Sequence, residues 1–150
     1  MKTLFNRATS DDVEIRIRSL RSDSPRQWGT MTAPQAVAHC SESMAMAVGD
    51  IRPRRMPIGR VLGPVIRRLA LGNDEPMRRN SPTVPELVIA DDRELETERA
   101  RLLELIDRFV AGGPSKCTTH PHAFFGKLTP EQWAELMYKH LDHHLRQFGA

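Results

Sequence analysis

The chain has little cysteine and no long uninterrupted apolar run, and each shortage excludes a class of protein. Cys40 and Cys117 are the two cysteines in 150 residues. Two such thiols build no disulfide framework, and no Cys-x-x-Cys pair is present to hold zinc or carry out redox exchange. A reducing cytoplasm is the expected setting. The first residues, Met1-Lys2-Thr3-Leu4-Phe5-Asn6-Arg7, lack the apolar stretch of a secretory signal. The most apolar interior segment, Ile58 to Leu71, is broken by Arg60, Arg67 and Arg68, so it does not read as a membrane span. Strand signals are scarce too: Leu87-Val88-Ile89 is apolar, but short and close behind a proline. There is no long internal repeat, no low-complexity tract and no nucleic-acid recognition motif. A net charge of +3 does not by itself call for nucleic acid.

What is present has helical spacing. The composition, 39% hydrophobic and 27% charged, suits one soluble domain with a real core. Ser10 is expected to cap a first helix near 10–21, with Asp11 and Asp12 in its first turn and Val13, Ile17 and Leu20 on one face. Thr32-Ala33-Pro34-Gln35 has the form of a capping box with an early proline, and opens a helix over 33–48 that Gly49 stops. A shorter helix is expected near 58–71, with Pro64 inside it. Ser81 to Glu86 reads as an extended linker. Asp91 or Asp92 should cap a long helix over 92–111 that buries Leu95, Leu102, Leu103, Ile106, Phe109 and Val110. Thr129-Pro130-Glu131-Gln132 repeats the capping box and opens the last helix, 130–147. Four substantial helices and a short one predict an all-α, antiparallel four-helix bundle with an extra short helix.

Histidine is the residue that stands out within this pattern. On the last helix, Trp133, Met137, His140, His144 and Phe148 share one face, opposite Glu135, Lys139, Asp142 and Arg146. His140 and His144 are four apart, so their rings project side by side and can grip one ion. The plainer alternative is two buried histidines bonded to carbonyls or carboxylates. The zinc signature His-Glu-x-x-His is absent, since Leu141 stands where the glutamate would be. A third ligand must come from elsewhere. His39 lies on a face of the second helix with the small residues Ala36, Ser43 and Ala47, which let another helix or a ligand come close. Cys117, His120 and His122 imitate a metal cluster, but no second paired motif at zinc spacing accompanies them.

Arginine is concentrated in the middle. In the stretch from Asp50 to Asn80, eight arginines follow Asp50 and meet only Asp74 and Glu75, a local excess of six positive charges beyond Asp50. These arginines either form a solvated face or bind anionic groups of a partner or cofactor.

Two regions of the chain resemble a known family. Trp28-Gly29-Thr30-Met31-Thr32-Ala33-Pro34-Gln35-Ala36-Val37-Ala38-His39-Cys40 is similar to the second-helix start of the DinB/YfiT-like superfamily, in its branch designated domain of unknown function 1569. His122 to Trp133 and Tyr138 to Phe148 resemble the end of that domain. The resemblance implies a four-helix bundle with a divalent metal at one end, zinc or nickel. Its ligands, one histidine on the second helix and a His-x-x-x-His pair on the last, carry over onto His39, His140 and His144. Superfamily members include transferases that activate low-molecular-weight thiols and a thiol-dependent isomerase. The resemblance therefore implies a metal-dependent thiol S-transferase or, second, a hydrolase. Arg52, Arg54, Arg55 and Arg60 would then hold the carboxylates of a thiol cofactor. A binding or stress-response module without turnover is the competing expectation. The expected partner is a small-molecule substrate rather than nucleic acid or a membrane, with a homodimer as the candidate assembly. His143 or His122 would be the nearest fourth ligand if the site were closed.

Overall fold

The computed structural model describes residues 1–81 and 85–150. It is all-helical, with no strand among the described residues. Five α-helices run in order: α1 (Arg7–Ser19), α2 (Ala33–Val48), α3 (Pro57–Ala70), α4 (Leu95–Gly112) and α5 (Pro130–Gln147). Two 3-10 turns, Pro85–Leu87 and Pro114–Lys116, lie in the connections. Of the expected linker over 81–86, residues 82–84 lie outside the described residues, and Pro85 already belongs to the first 3-10 turn.

Local sequence explains most of the helix ends. Both capping boxes form: the Thr32 and Thr129 hydroxyls accept the backbone N–H of Gln35 and Gln132, and each glutamine side chain reaches back to the threonine N–H. Gly49 ends α2 in the left-handed conformation, at φ 87°. Two other caps differ from expectation. α1 starts earlier, because the Asn6 side chain accepts from Thr9 N at 3.1 Å. Ser10 is buried inside the first turn, and its hydroxyl donates to the Arg7 carbonyl at 3.0 Å. α4 starts later: Glu94, not Asp91 or Asp92, accepts from Glu96 N and Thr97 N.

α1, α2, α4 and α5 share one core. α2 lies along α4, α5 packs on α2 and α1, and α1 touches α4. Val13, Ile17, Met44, Leu102, Ile106, Trp133 and Leu141 are almost fully buried there. Phe5 stacks on Phe109 with ring centroids 5.1 Å apart.

α3 stands outside that core, on the loop around Phe124, and its last residue and the turn beyond it meet the far side of α5. Here the structure corrects the reading of α5 as a helix with one buried face. Glu135 and Lys139, expected on the solvent side, are 2% and 6% exposed. The C-terminal end of α3 supplies their partners. Lys139 Nζ donates to the Ala70 carbonyl at 2.7 Å and to Asn73 Oδ1 at 2.9 Å, while Glu135 Oε1 accepts the Gly72 N–H at 2.7 Å. The two charges are 3.6 Å apart. An ammonium group at a helix C-terminus also meets the negative end of the helix dipole.

Removing one member of a buried pair leaves the other charge without compensation. Lys139→Ala should therefore destabilise the fold by about 3 kcal/mol, read from urea unfolding. A loss below about 1 kcal/mol, the range of an exposed pair, would show that the pair is solvated and that α3 does not seal it.

Candidate metal centre

The capping box of α2 fixes the phase of that helix, and the phase turns His39 inward, where it is 4% exposed. Its Nδ1 lies 2.7 Å from the Leu87 carbonyl oxygen. A carbonyl only accepts, so Nδ1 carries the proton and the Nε2 lone pair faces the interior. Across from it, α5 presents His140 and His144 one turn apart. His39 Nε2 and His140 Nε2 are 2.9 Å apart. The three rings stand with centroids 4.8 to 4.9 Å from one another. One ligand nitrogen from each lies within 4.8 Å of the others. Three nitrogens about 2.1 Å from one ion can be at most about 4.2 Å apart. The 2.9 Å pair is inside that limit, and no other pair exceeds it by more than about 0.6 Å.

His144 is oriented as His39 is. Its Nδ1 donates to Gln147 Oε1 at 2.8 Å, and Gln147 Nε2 donates in turn to the Trp28 carbonyl at 2.8 Å. Gln27 N donates to the Gln147 carbonyl at 2.7 Å, so residues 27–28 are clipped to the end of α5. Gly29 is needed in that clip: its φ is 76°, and a Cβ there would come 2.6 Å from Gln147 Nε2.

The cluster contains no carboxylate. Burial, opposed in part by the Leu87 hydrogen bond, lowers the His39 pKa. Burial and the neighbouring His144 and His39 rings hold His140 well below its ordinary value. Burial and His39 bring His144 down to about 3. Three neutral imidazoles are the protonation state that metal ligation requires. The hydrogen bonds among them fall one short. With His39 Nε2 accepting, His140 Nε2 carries the shared proton, and its buried Nδ1 has no partner among the described residues. A neutral, nitrogen-only, largely buried donor set with one unpaired buried atom fits a borderline-soft divalent cation.

The other histidines have separate work. His143 sits beside His144, with centroids 5.0 Å apart, and packs on Trp28 at 5.4 Å. The Arg79 guanidinium lies over the other part of that wall, 4.1 Å from the Trp28 ring. His122 Nδ1 accepts the N–H groups of Phe124 and Phe125, organising the turn that returns to Gly126. Burial, then the Arg55 charge, lowers its pKa to about 4. His120 Nε2 is 3.3 Å from the Pro53 carbonyl. Among the described residues, the group that could hold a metal is His39, His140 and His144, without Cys117, His120 or His122. Of the arginines considered for a cofactor, Arg52, Arg54 and Arg60 are exposed. Arg55 is turned inward: it donates to the Gly59 carbonyl at 3.2 Å and lies over Gly126. Arg79 reaches the edge of the cluster through Trp28 and His143.

Two orienting groups escape a sequence reading of the ligands. Gln147 is three residues beyond His144 on the same helix, a spacing that could have flagged it. The Leu87 carbonyl is a backbone atom, and no side-chain pattern points to it.

Fold and site together define an all-helical protein with a three-histidine cluster, two of its rings buried and one half-buried, at the junction of two core helices. The chain belongs to the family described as "Protein of unknown function (DUF1569)", whose model matches residues 5–150. Comparison with curated proteins and with solved structures finds no match.

Two outcomes follow from this geometry. Gln147→Ala removes the group that fixes the His144 ring and should weaken zinc retention about 10- to 100-fold in chelator competition. The second concerns the metal-free protein. His122 and His144 stay neutral in the folded state down to about 4 and about 3, whereas the unfolded chain takes up these protons near 6.5. The unfolded state then binds more protons as pH falls through 6.5, so stability is lost in that direction. Urea midpoints should drop between pH 7 and pH 5.5, before carboxylates titrate. A flat profile would show that these rings are solvated.

Proposed function

We propose that the chain is a metal-dependent enzyme built as an antiparallel four-helix bundle of the DinB/YfiT-like type, with α3 as the added helix. His39, His140 and His144 would hold the divalent metal, zinc or nickel. The observation that carries this reading is the cluster itself: three neutral imidazoles, two buried and one half-buried, two of them with Nδ1 tied to an acceptor so that Nε2 faces the centre. Three protein ligands leave a coordination position free, the pattern of a catalytic rather than a structural site. When bound there, the metal would supply a Lewis acid able to lower the pKa of a water or thiol.

The chain's own residues supply the rest. The Leu87 carbonyl and Gln147 hold two ligand rings in place. Trp28 and His143 pack in series beside His144. Arg79 puts a positive charge on that wall, suited to an anionic group of a low-molecular-weight thiol or of a small-molecule substrate. Thiol S-transfer is the leading reaction and hydrolysis the second. Arg52, Arg54, Arg55 and Arg60 stay the proposed cofactor-binding group; Arg55 is turned inward onto Gly59 and Gly126, and the other three lie at the surface. Both cysteines are free thiols, which supports a cytoplasmic setting. No helix of the described residues is long and apolar enough to cross a membrane.

A module that holds a metal without turnover is the second reading. It is favoured by the burial of the site, with His39 at 4% and His144 at 9% exposure.

Metal analysis of the purified protein, followed by a thiol-transfer assay with an aryl halide electrophile, tests both. Wild type should carry stoichiometric zinc or nickel. His144→Ala should lose it while circular dichroism stays nearly unchanged, since the surrounding core is apolar. Turnover that falls with the metal supports the enzyme. Retained metal without turnover of any thiol or ester supports the module. Full occupancy in His144→Ala would remove the site assignment.

A further inference from the structure

We propose that the outward face of α3 docks on an anionic lipid surface, with the helix lying in the headgroup plane. The helix is mounted in the opposite sense to a core helix. Ile58, Val61, Leu62, Val65 and Leu69 are 43 to 75% exposed, and Ile66 is 37% exposed. Their spacing places all six on one stripe. The inward side carries Gly59 and Gly63, both buried. A Cβ at either would come 2.6 or 2.3 Å from the Phe124 carbonyl oxygen. The helix cannot be turned to bury its large residues, because they would strike that backbone. It is also tied down: Arg67 donates to the Lys127 carbonyl at 2.6 Å, and Lys139 caps the Ala70 carbonyl.

Charge selects the occupant. Arg68 flanks this stripe, Arg52 and Arg54 are exposed just ahead of the helix, and no acidic residue occurs from Ile51 to Asn73. A second copy meeting the face about a two-fold axis would bring this arginine-rich segment against itself, with no carboxylate between Ile51 and Asn73 to offset it. A bilayer containing anionic lipid offers apolar depth to the stripe and negative headgroups to the rim. At 14 residues the helix is too short to span the bilayer. An amphipathic helix with an apolar stripe and an arginine-bearing flank lies in the interface instead. This inference does not rest on the metal site.

Sedimentation of the full chain with vesicles tests it. Phosphatidylserine-containing vesicles should bind the protein at least about tenfold more tightly than phosphatidylcholine alone, and added salt should weaken the binding. Val61→Asp/Leu69→Asp should abolish binding, and Arg68→Glu should reduce it about tenfold. All three positions are exposed, so circular dichroism and metal content should not change. Absence of binding to both vesicles, or undiminished binding by Val61→Asp/Leu69→Asp, overturns the proposal. So does self-association that this double variant dissolves without any vesicle binding, which would give the face to a second copy.

Discussion

An imidazole buried in a protein needs partners for both nitrogens, and three of them meeting at one point cannot all find partners among themselves. That constraint organises the junction of α2 and α5. His39 spends one nitrogen on the Leu87 carbonyl and His144 spends one on Gln147. The Nε2 atoms of His39 and His140 then share a proton, and His140 Nδ1 is left over. Desolvation pushes every ring towards the neutral form, so protonation does not resolve the shortfall near neutral pH. Such an arrangement would be a poor way to fill a core. An apolar residue at His144 would pack as well and need no glutamine behind it. The network makes physical sense as a set of lone pairs held ready for a cation.

α5 carries a second polar load on its other side. Glu135 and Lys139 are buried under the C-terminus of α3 and bonded to its last carbonyl and to the turn beyond it. The same helix thus holds the histidine cluster on one face and anchors the peripheral segment on the other. Each side sets the position of α5 from hydrogen bonds rather than from apolar contact alone, which is the kind of over-determination that keeps ligand rings in register.

The parts legible in the sequence were those in which local chemistry decides. The T-x-x-Q boxes gave the starts of α2 and α5 to the residue, because a capping box satisfies its own backbone groups without help. The starts of α1 and α4 were not legible to that precision. Asn6 and Ser10 are equally good caps, and what separates them is the burial of Leu4 beyond the helix. The His140–His144 pair was visible from spacing, and His39 from its small neighbours together with the family resemblance. Glu135 and Lys139 looked solvent-facing because helical periodicity reports one buried face, and only tertiary structure reveals a second cover. Arg55 could not be told from Arg52, Arg54 and Arg60 by composition; its place over Gly126 follows from how the His122 turn folds.

α3 raises the opposite question: why a globular chain leaves its best apolar stripe in water. Fully burying a Val, Leu or Ile side chain is worth about 1.5–3 kcal/mol, so six that are roughly half exposed forgo an amount comparable to the whole stability of many domains. Nothing in the helix itself prevents burial; the stripe is regular and Pro64 does not interrupt it. What prevents it is the choice of glycine at 59 and 63, which costs helix stability and lets the backbone of α3 sit directly on the Phe124 carbonyl. Two glycines on one face and six large apolar residues on the next specify an orientation, and that orientation points the stripe away from the core. That exposed face is the part of the chain with most to gain from a cover, and the acid-free, arginine-bearing segment around it sets the charge a cover must have.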